Sequence, residues 1–199
     1  MDLFLTLLQM ELLVKRLTLS MIIAGALAMS ATAAHAEGEK NNVFGVNPLG
    51  LIFNIYTGDY ARFIQDGKAE IDIPFTYWQP IDELTMMSIG AKYRMHIKGQ
   101  PEGPFVGGGV GVGYVSWDYK YIDFNSANWD TKTETITGIT VTPVAELGYR
   151  WIWGSGFTMA PSVEAGFGIG KVESENGAVP TTTADGFQWG LNLGLGWNF

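Results

Sequence analysis

The sequence predicts an all-β protein, an eight-stranded antiparallel up-and-down transmembrane β-barrel, and three observations predict it. From Phe187 the chain alternates without a break, with Phe187, Trp189, Leu191, Leu193, Leu195, Trp197 and Phe199 set against Gln188, Gly190, Asn192, Gly194, Gly196 and Asn198. A period of two is a strand signal that no helical period fits. Several upstream segments repeat the pattern. Composition is the third observation: charged residues make up 16% of the 199 residues, against about 25% in soluble domains, while Gly (26) and Trp (7) are abundant. Such a surface suits a solvent other than water. The net charge of −8 speaks against a nucleic-acid partner, which needs basic surface to displace counterions. The absence of Cys removes disulfides, thiol nucleophiles and thiolate metal sites.

Residues 1–36 read as a leader. Lys15 and Arg16 precede an uncharged apolar run, Leu17 to Met29, and then an Ala-x-Ala cleavage site at Ala34-His35-Ala36. The run is shorter than the roughly 20 residues needed to span a bilayer as a helix, so a cleaved signal peptide is expected rather than an anchor. Met1–Leu13 sits oddly before the basic pair, and translation is expected to begin near Val14 from a non-ATG codon. The mature barrel domain is then 37–199, and it keeps the whole charge of −8, because the leader's charges cancel.

The strands follow in order. As one strand, Val43–Ile64 would make the count odd, which single-chain barrels avoid; split near Phe53-Asn54 it gives two strands of about 10 residues, close to the ~9–11 that span. A turn at Gln65-Asp66-Gly67 leads into 68–77, where Ala69, Ile71, Ile73, Phe75 and Tyr77 alternate with polar residues. The next alternating segments are 85–98, 104–117, 135–151, 156–171 and 185–199. In 104–117 the second face is Gly107, Gly109, Gly111 and Gly113, and Pro143 and Pro161 should each disturb the ladder by removing a donor. Short links at 99–103 and 152–155 alternate with long ones at 118–134 and 172–184, as periplasmic turns alternate with extracellular loops. This parity gives eight strands.

Alternation alone leaves open which face meets the core, since a soluble lipocalin-like barrel turns its apolar face inward. Here the polar face is mostly Gly and small residues, which suits a narrow interior, and the apolar face carries aromatics at its ends, as membrane girdles do. The closing strand with its terminal Phe199 resembles the last strand of Gram-negative outer-membrane barrels. The stretch NPLGLIFNIYTGDYARFI is similar to the opening of small OmpA/OmpX-like barrels, and the resemblance covers roughly the whole mature chain. It implies an outer-membrane location among lipid and lipopolysaccharide, escort by periplasmic chaperones, and a barrel-insertion machinery that reads Trp197 and Phe199.

Eight strands enclose only enough room for side chains. The charges expected inside are Arg62, Lys92, Arg94 and Arg150 against Glu70, Asp72, Glu146 and Glu164. Four against four points to a closed ion-pair network, because buried charges are costly unless paired. A structural role, or a surface role through loops 118–134 and 172–184, is therefore expected; a small pore or carrier for ions or apolar solutes is the second reading. Phe124 and Trp129 are the candidate loop contacts, because function on a rigid scaffold sits in its loops. No catalytic site, cofactor or metal is expected. Glu146 and Glu164 could meet across neighbouring strands as paired acids do, but inside a plug without substrate access. Enzymes of the resembling fold modify lipopolysaccharide acyl chains through a His, a Ser and an acid. His96 is the one candidate base here, and Ser88 lies eight residues away, roughly 27 Å along a strand at ~3.4 Å per residue.

Overall fold

A computed structural model describes residues 40–122, 131–174 and 182–199; the expected leader lies outside them. The elements are β1 (Asn42–Val46), a single helical turn α1 (Pro48–Leu51), β2 (Ile55–Ile64), β3 (Ala69–Ile81), β4 (Leu84–His96), β5 (Gly103–Ile122), β6 (Thr131–Ile152), β7 (Phe157–Ser174), a two-residue β8 (Thr182–Thr183) and β9 (Gly186–Asn198). Neighbours pair antiparallel from β1 to β7, β7 pairs with β9, and β9 returns to β1. Eight strands thus form a closed ring, similar to a β-barrel. The 65–68, 97–102 and 153–156 links lie at one end with Asn42 and Phe199, here the turn end; the links after β1, β3, β5 and β7, the two-residue one after β3 included, lie at the other, the loop end.

Local chemistry explains the borders. Gln65, Asp66 and Gly67 all take positive φ (54°, 57° and 81°), giving the tight turn expected between β2 and β3. The split in 43–64 falls where expected, at Asn54 with φ 57°, but the first strand is only five residues long. Asn42 and Phe199 exchange both backbone bonds, Asn42 N–H donating to the Phe199 carbonyl (3.0 Å) and Phe199 N–H to that of Asn42 (2.8 Å). Hydrogen-bonded pairs recur at every second residue, so Phe44–Trp197 and Val46–Leu195 follow. The next rung would set Pro48 against Leu193, and proline has no N–H to give. The chain instead turns into α1, with Asn47 Oδ1 accepting from Leu49 N–H at 3.1 Å.

Prolines also act as expected further along. The β6–β7 ladder lapses between Val141–Ile169 and Val144–Gly166, at Pro143, and again between Gly148–Ser162 and Trp151–Met159, beside Pro161. One expectation needs correction. The 118–134 link is mostly strand, because β5 and β6 stay paired out to Ile122–Thr131, leaving 123–130, with Phe124 and Trp129, outside the described residues. Similarly, β7 continues to Ser174 and β8 folds back on Lys171 and Val172, narrowing the 172–184 link.

The ring is polar inside and apolar outside. Ile89, Ile139, Leu147, Ile169, Trp189 and Leu191 are exposed on the outer face, while Glu70, Asp72, Arg94, Glu146 and Arg150 are buried. This is the reverse of a lipocalin-like arrangement, in which the apolar face turns inward. Aromatic pairs mark both ends: Tyr149–Trp151, Trp153–Phe157 and Phe157–Trp197 at the turn end, Tyr56–Tyr77 and Trp117–Tyr119 at the loop end. No helix among the described residues is long and apolar enough to cross a membrane.

The glycines of β5 make room for large inward neighbours. A Cβ on Gly109 would lie 2.2 Å from the Ala91 carbonyl oxygen and 2.9 Å from Lys92 Cγ, whereas one on Gly190 would meet nothing within 4 Å. Gly109→Val should therefore cost about 1–3 kcal/mol by overpacking, and Gly190→Ala should stay within about 0.5 kcal/mol of wild type. Urea unfolding of the refolded protein reads both.

Candidate functional site: the charged plug and the cavity above it

The turn-end half of the lumen is filled by a connected ion-pair cluster. Adjacent strands supply it in register: Glu70 faces Arg94 and Asp72 faces Lys92 across β3–β4, Gly107 faces Arg94 and Gly109 faces Lys92 across β4–β5, and Glu146 faces Glu164 across β6–β7. Gly107 and Gly109 leave space for the Arg94 and Lys92 stems.

Arg94 is the hub. Its Nε and Nη2 donate to Glu146 at 2.7 and 3.0 Å, and its Nη1 donates to Glu70 Oε1 at 2.8 Å. Asp72 Oδ2 lies 3.0 Å from Nη2, but neither Asp72 oxygen accepts an aligned hydrogen bond. The Asp72 contact is thus one of charge rather than a hydrogen bond. Arg150 grips both oxygens of Glu70, with Nη2 to Oε1 at 3.0 Å. Lys92 joins Glu146 (3.4 Å) and Glu164, so the paired acids foreseen across β6–β7 do meet, with an ammonium between them. Ser162 Oγ donates to Glu146 Oε1 at 2.7 Å. Phe63 and Phe105 close the turn end, each under the Arg150 guanidinium (5.3 and 5.9 Å). Phe105 nests over Gly148, where a Cβ would come within 2.4 Å of its ring.

Two residues differ from the sequence expectation. Arg62 is exposed, on the outer face opposite Ile71, and takes no part in the plug. Asp59, not singled out beforehand, faces inward and covers Gly45, where a Cβ would lie 2.6 Å from its Oδ1. The reason is the parity of β2: Thr57, Asp59, Ala61 and Phe63 share one face, and burying Phe63 against Arg150 sends Arg62 out. Among the described residues, the turn-end half of the lumen consequently holds five carboxylates (Asp59, Glu70, Asp72, Glu146, Glu164) against three cations (Lys92, Arg94, Arg150), an acidic excess in place of the expected balance.

His96 is buried between Phe63 and Phe105, with ring centroids 5.8 and 6.0 Å away, and its Nε2 is 3.4 Å from Glu70 Oε2. Ser88 lies far up β4 and lines the cavity instead. The base and the nucleophile are thus kept apart. No cluster of three or more His, Cys, Asp or Glu suited to a metal occurs among the described residues. Trp197 packs edge-on to Phe157 (6.3 Å), and Phe199 is the residue that pairs with Asn42, so the two positions of the expected insertion signal also form the ring's seam.

Above Lys92 and Glu164 the lumen opens into a cavity of about 310 Å³. Thr57, Thr76, Ser88, Thr140, Gln188 and Asn192 line it with hydroxyl and amide groups, and the Lys92–Glu164 pair forms its floor.

Arg94→Met would leave Glu70, Asp72 and Glu146 buried with their main cation gone. A loss of about 3–5 kcal/mol is expected, as for other broken buried pairs. Arg62→Met, on the outer face, should change stability by no more than about 0.5 kcal/mol. Equilibrium unfolding of both variants in lipid vesicles distinguishes the plug from the outer wall.

No family model matches the chain, and no curated protein matches it. Among solved structures, the N-terminal β-barrel domain of Pseudomonas aeruginosa OprF is similar at 19% sequence identity, with 80% of this chain and 98% of that chain covered and a TM-score of 0.38.

Proposed function

We propose that the protein is a non-enzymatic integral barrel of a Gram-negative outer membrane, with a lumen plugged by side chains at its turn end and a surface role at its loop end. The inverted polarity of the ring carries this reading. An outward belt of Ile, Val, Leu and Phe framed by aromatic pairs is costly in water and favourable in lipid. Closure matters equally, because hydrocarbon offers no partner for an open strand edge. The Ala-x-Ala leader supports export, and no cofactor or metal enters the reading.

The loop end supports the surface role. β5 runs for 20 residues and β6 for 22, while ~9–11 suffice to span. The β5–β6 hairpin therefore stands well clear of the apolar belt, with Tyr119 stacked on Tyr121 (6.2 Å, 13°) and Lys120 Nζ donating to Glu83 at 3.4 Å. Lipid and lipopolysaccharide are the expected surroundings, with chaperones and an insertion machinery acting on Trp197 and Phe199 beforehand. Phe124 and Trp129, outside the described residues, remain the proposed contacts. A second reading, a narrow ion path, draws on the two-carboxylate excess; such a path would favour cations.

In an outer-membrane fraction, the folded protein should migrate faster on a detergent gel unboiled than boiled. A band that never shifts, or protein found only in the periplasmic supernatant, would remove the membrane reading. In a planar bilayer the plugged lumen should carry no resolvable current. Stable cation-selective steps would favour the ion path instead.

A further inference from the structure

We infer that the loop-side half of the lumen holds the uncharged polar head of a membrane amphiphile, which enters sideways through a notch in the wall between β1 and β9. The inference rests on the membrane reading above and adds a ligand class to it.

The notch follows from the short β1. Its register with β9 ends at Val46–Leu195, and Pro48 stops the next rung. By the alternation of an antiparallel ladder, Leu193, Leu191, Trp189 and Phe187 direct their backbone N–H and C=O groups toward the side where β1 would have continued. Among the described residues no strand pairs with them there. Their other neighbours, from Gly186 to Gly194, are engaged with β7. Lipid cannot satisfy such an edge, so it must be covered by protein or line a wet cavity.

Both conditions are met in part. The segment 47–54 crosses the notch, held at its far end by Trp78 Nε1 donating to the Phe53 carbonyl at 3.1 Å. It shows lipid an apolar exterior: Ile52 is 74% and Phe53 67% exposed, beside Trp189 at 71% and Leu191 at 66% on β9. Behind it lies the 310 Å³ cavity, whose wall includes Asn47 and Thr57 on one flank of the notch and Gln188, Gly190 and Asn192 on the other. Asn192 Oδ1 is buried without a hydrogen-bond partner.

The chemistry of the two sides selects the ligand. Hydroxyls and amides in the lining suit a neutral, hydrogen-bonding head such as a sugar, and the one cation there, Lys92, is already held by Glu146 and Glu164, which leaves none for an anionic head. The cavity's size is at the lower end of ligand pockets, ~300–1,000 Å³. The plug closes the way to the turn end, so an alkyl tail leaves through the notch into the belt beside Trp189 and Phe53.

Photolabelling in vesicles tests this with an alkyl glucoside carrying a diazirine either next to the sugar or at the tail's end. The head probe should label residues of the 186–194 segment and of the facing walls at Thr57 and Ser88. The tail probe should label Ile52, Phe53, Trp189 and Leu191. Gly190 has open space before it, so Gly190→Phe should fill the cavity and cut head labelling at least tenfold while keeping the heat-shifted gel band. Ser88→Leu fills it from the opposite wall should Gly190→Phe fail to fold. Labelling spread evenly around the outer face, or undiminished by a filled cavity, overturns the inference. So does a cross-linked dimer through β9, which would mean that a second copy covers the edge. Loss of the heat shift in the wild type would instead overturn the membrane reading itself.

Discussion

Arg94 sets the terms for everything inside this ring. One guanidinium contacts Glu70, Asp72 and Glu146, from strands β3 and β6, and sits 5.1 Å over Phe105 of β5. An isolated charge in such a place would cost many kcal/mol; a planar fork of donors makes it tolerable, because several carboxylates can be satisfied at once. The neighbouring choices follow. Gly107 and Gly109 must be small so that the Arg94 and Lys92 stems can lie flat, Ser162 takes up a remaining Glu146 lone pair, and Arg150 answers the second oxygen of Glu70. Stability and closure of the lumen are therefore one property of one cluster.

Division of the lumen into a charged lower half and a hydroxyl-lined upper half separates two tasks. The lower half ties four strands together across the ring at the turn end, where β1 and β9 are paired. The upper half has no comparable tie and keeps an opening. Rigidity below and room above is the arrangement expected when binding is placed on a firm scaffold.

Much of this was legible in the sequence. The strand positions, the split of 43–64 and the inward placing of Lys92, Arg94, Arg150, Glu70, Asp72, Glu146 and Glu164 all follow from a period of two with apolar residues on one face only. β2 is the exception. Each face of Ile55–Ile64 carries an aromatic and a charge, so its parity cannot be decided locally. The Arg150 guanidinium against Phe63 decides it, and that contact spans two distant parts of the chain. The outer reaches of β5 and β6 were also hidden, since strands beyond the apolar belt have no continuous apolar face to maintain and read as a loop. The notch was not legible: the sequence carried the first strand on to Phe53, and only the register with β9 shows that β1 stops at Val46 and leaves an edge.

The seam between β1 and β9 bears on how the ring is made. Asn42 and Phe199 are 157 residues apart in sequence, and four register pairs hold the strands together there, against twenty between β5 and β6. Hairpins close their loops at small entropic cost, whereas this pairing brings the two ends of the domain together. The β1–β9 seam is therefore the joint of the ring with the largest closure cost and the fewest rungs. Phe199, which exchanges both backbone hydrogen bonds with Asn42, is the outermost rung of that seam, so the ring's shortest ladder depends on it in a way that none of the longer ladders depends on any one residue.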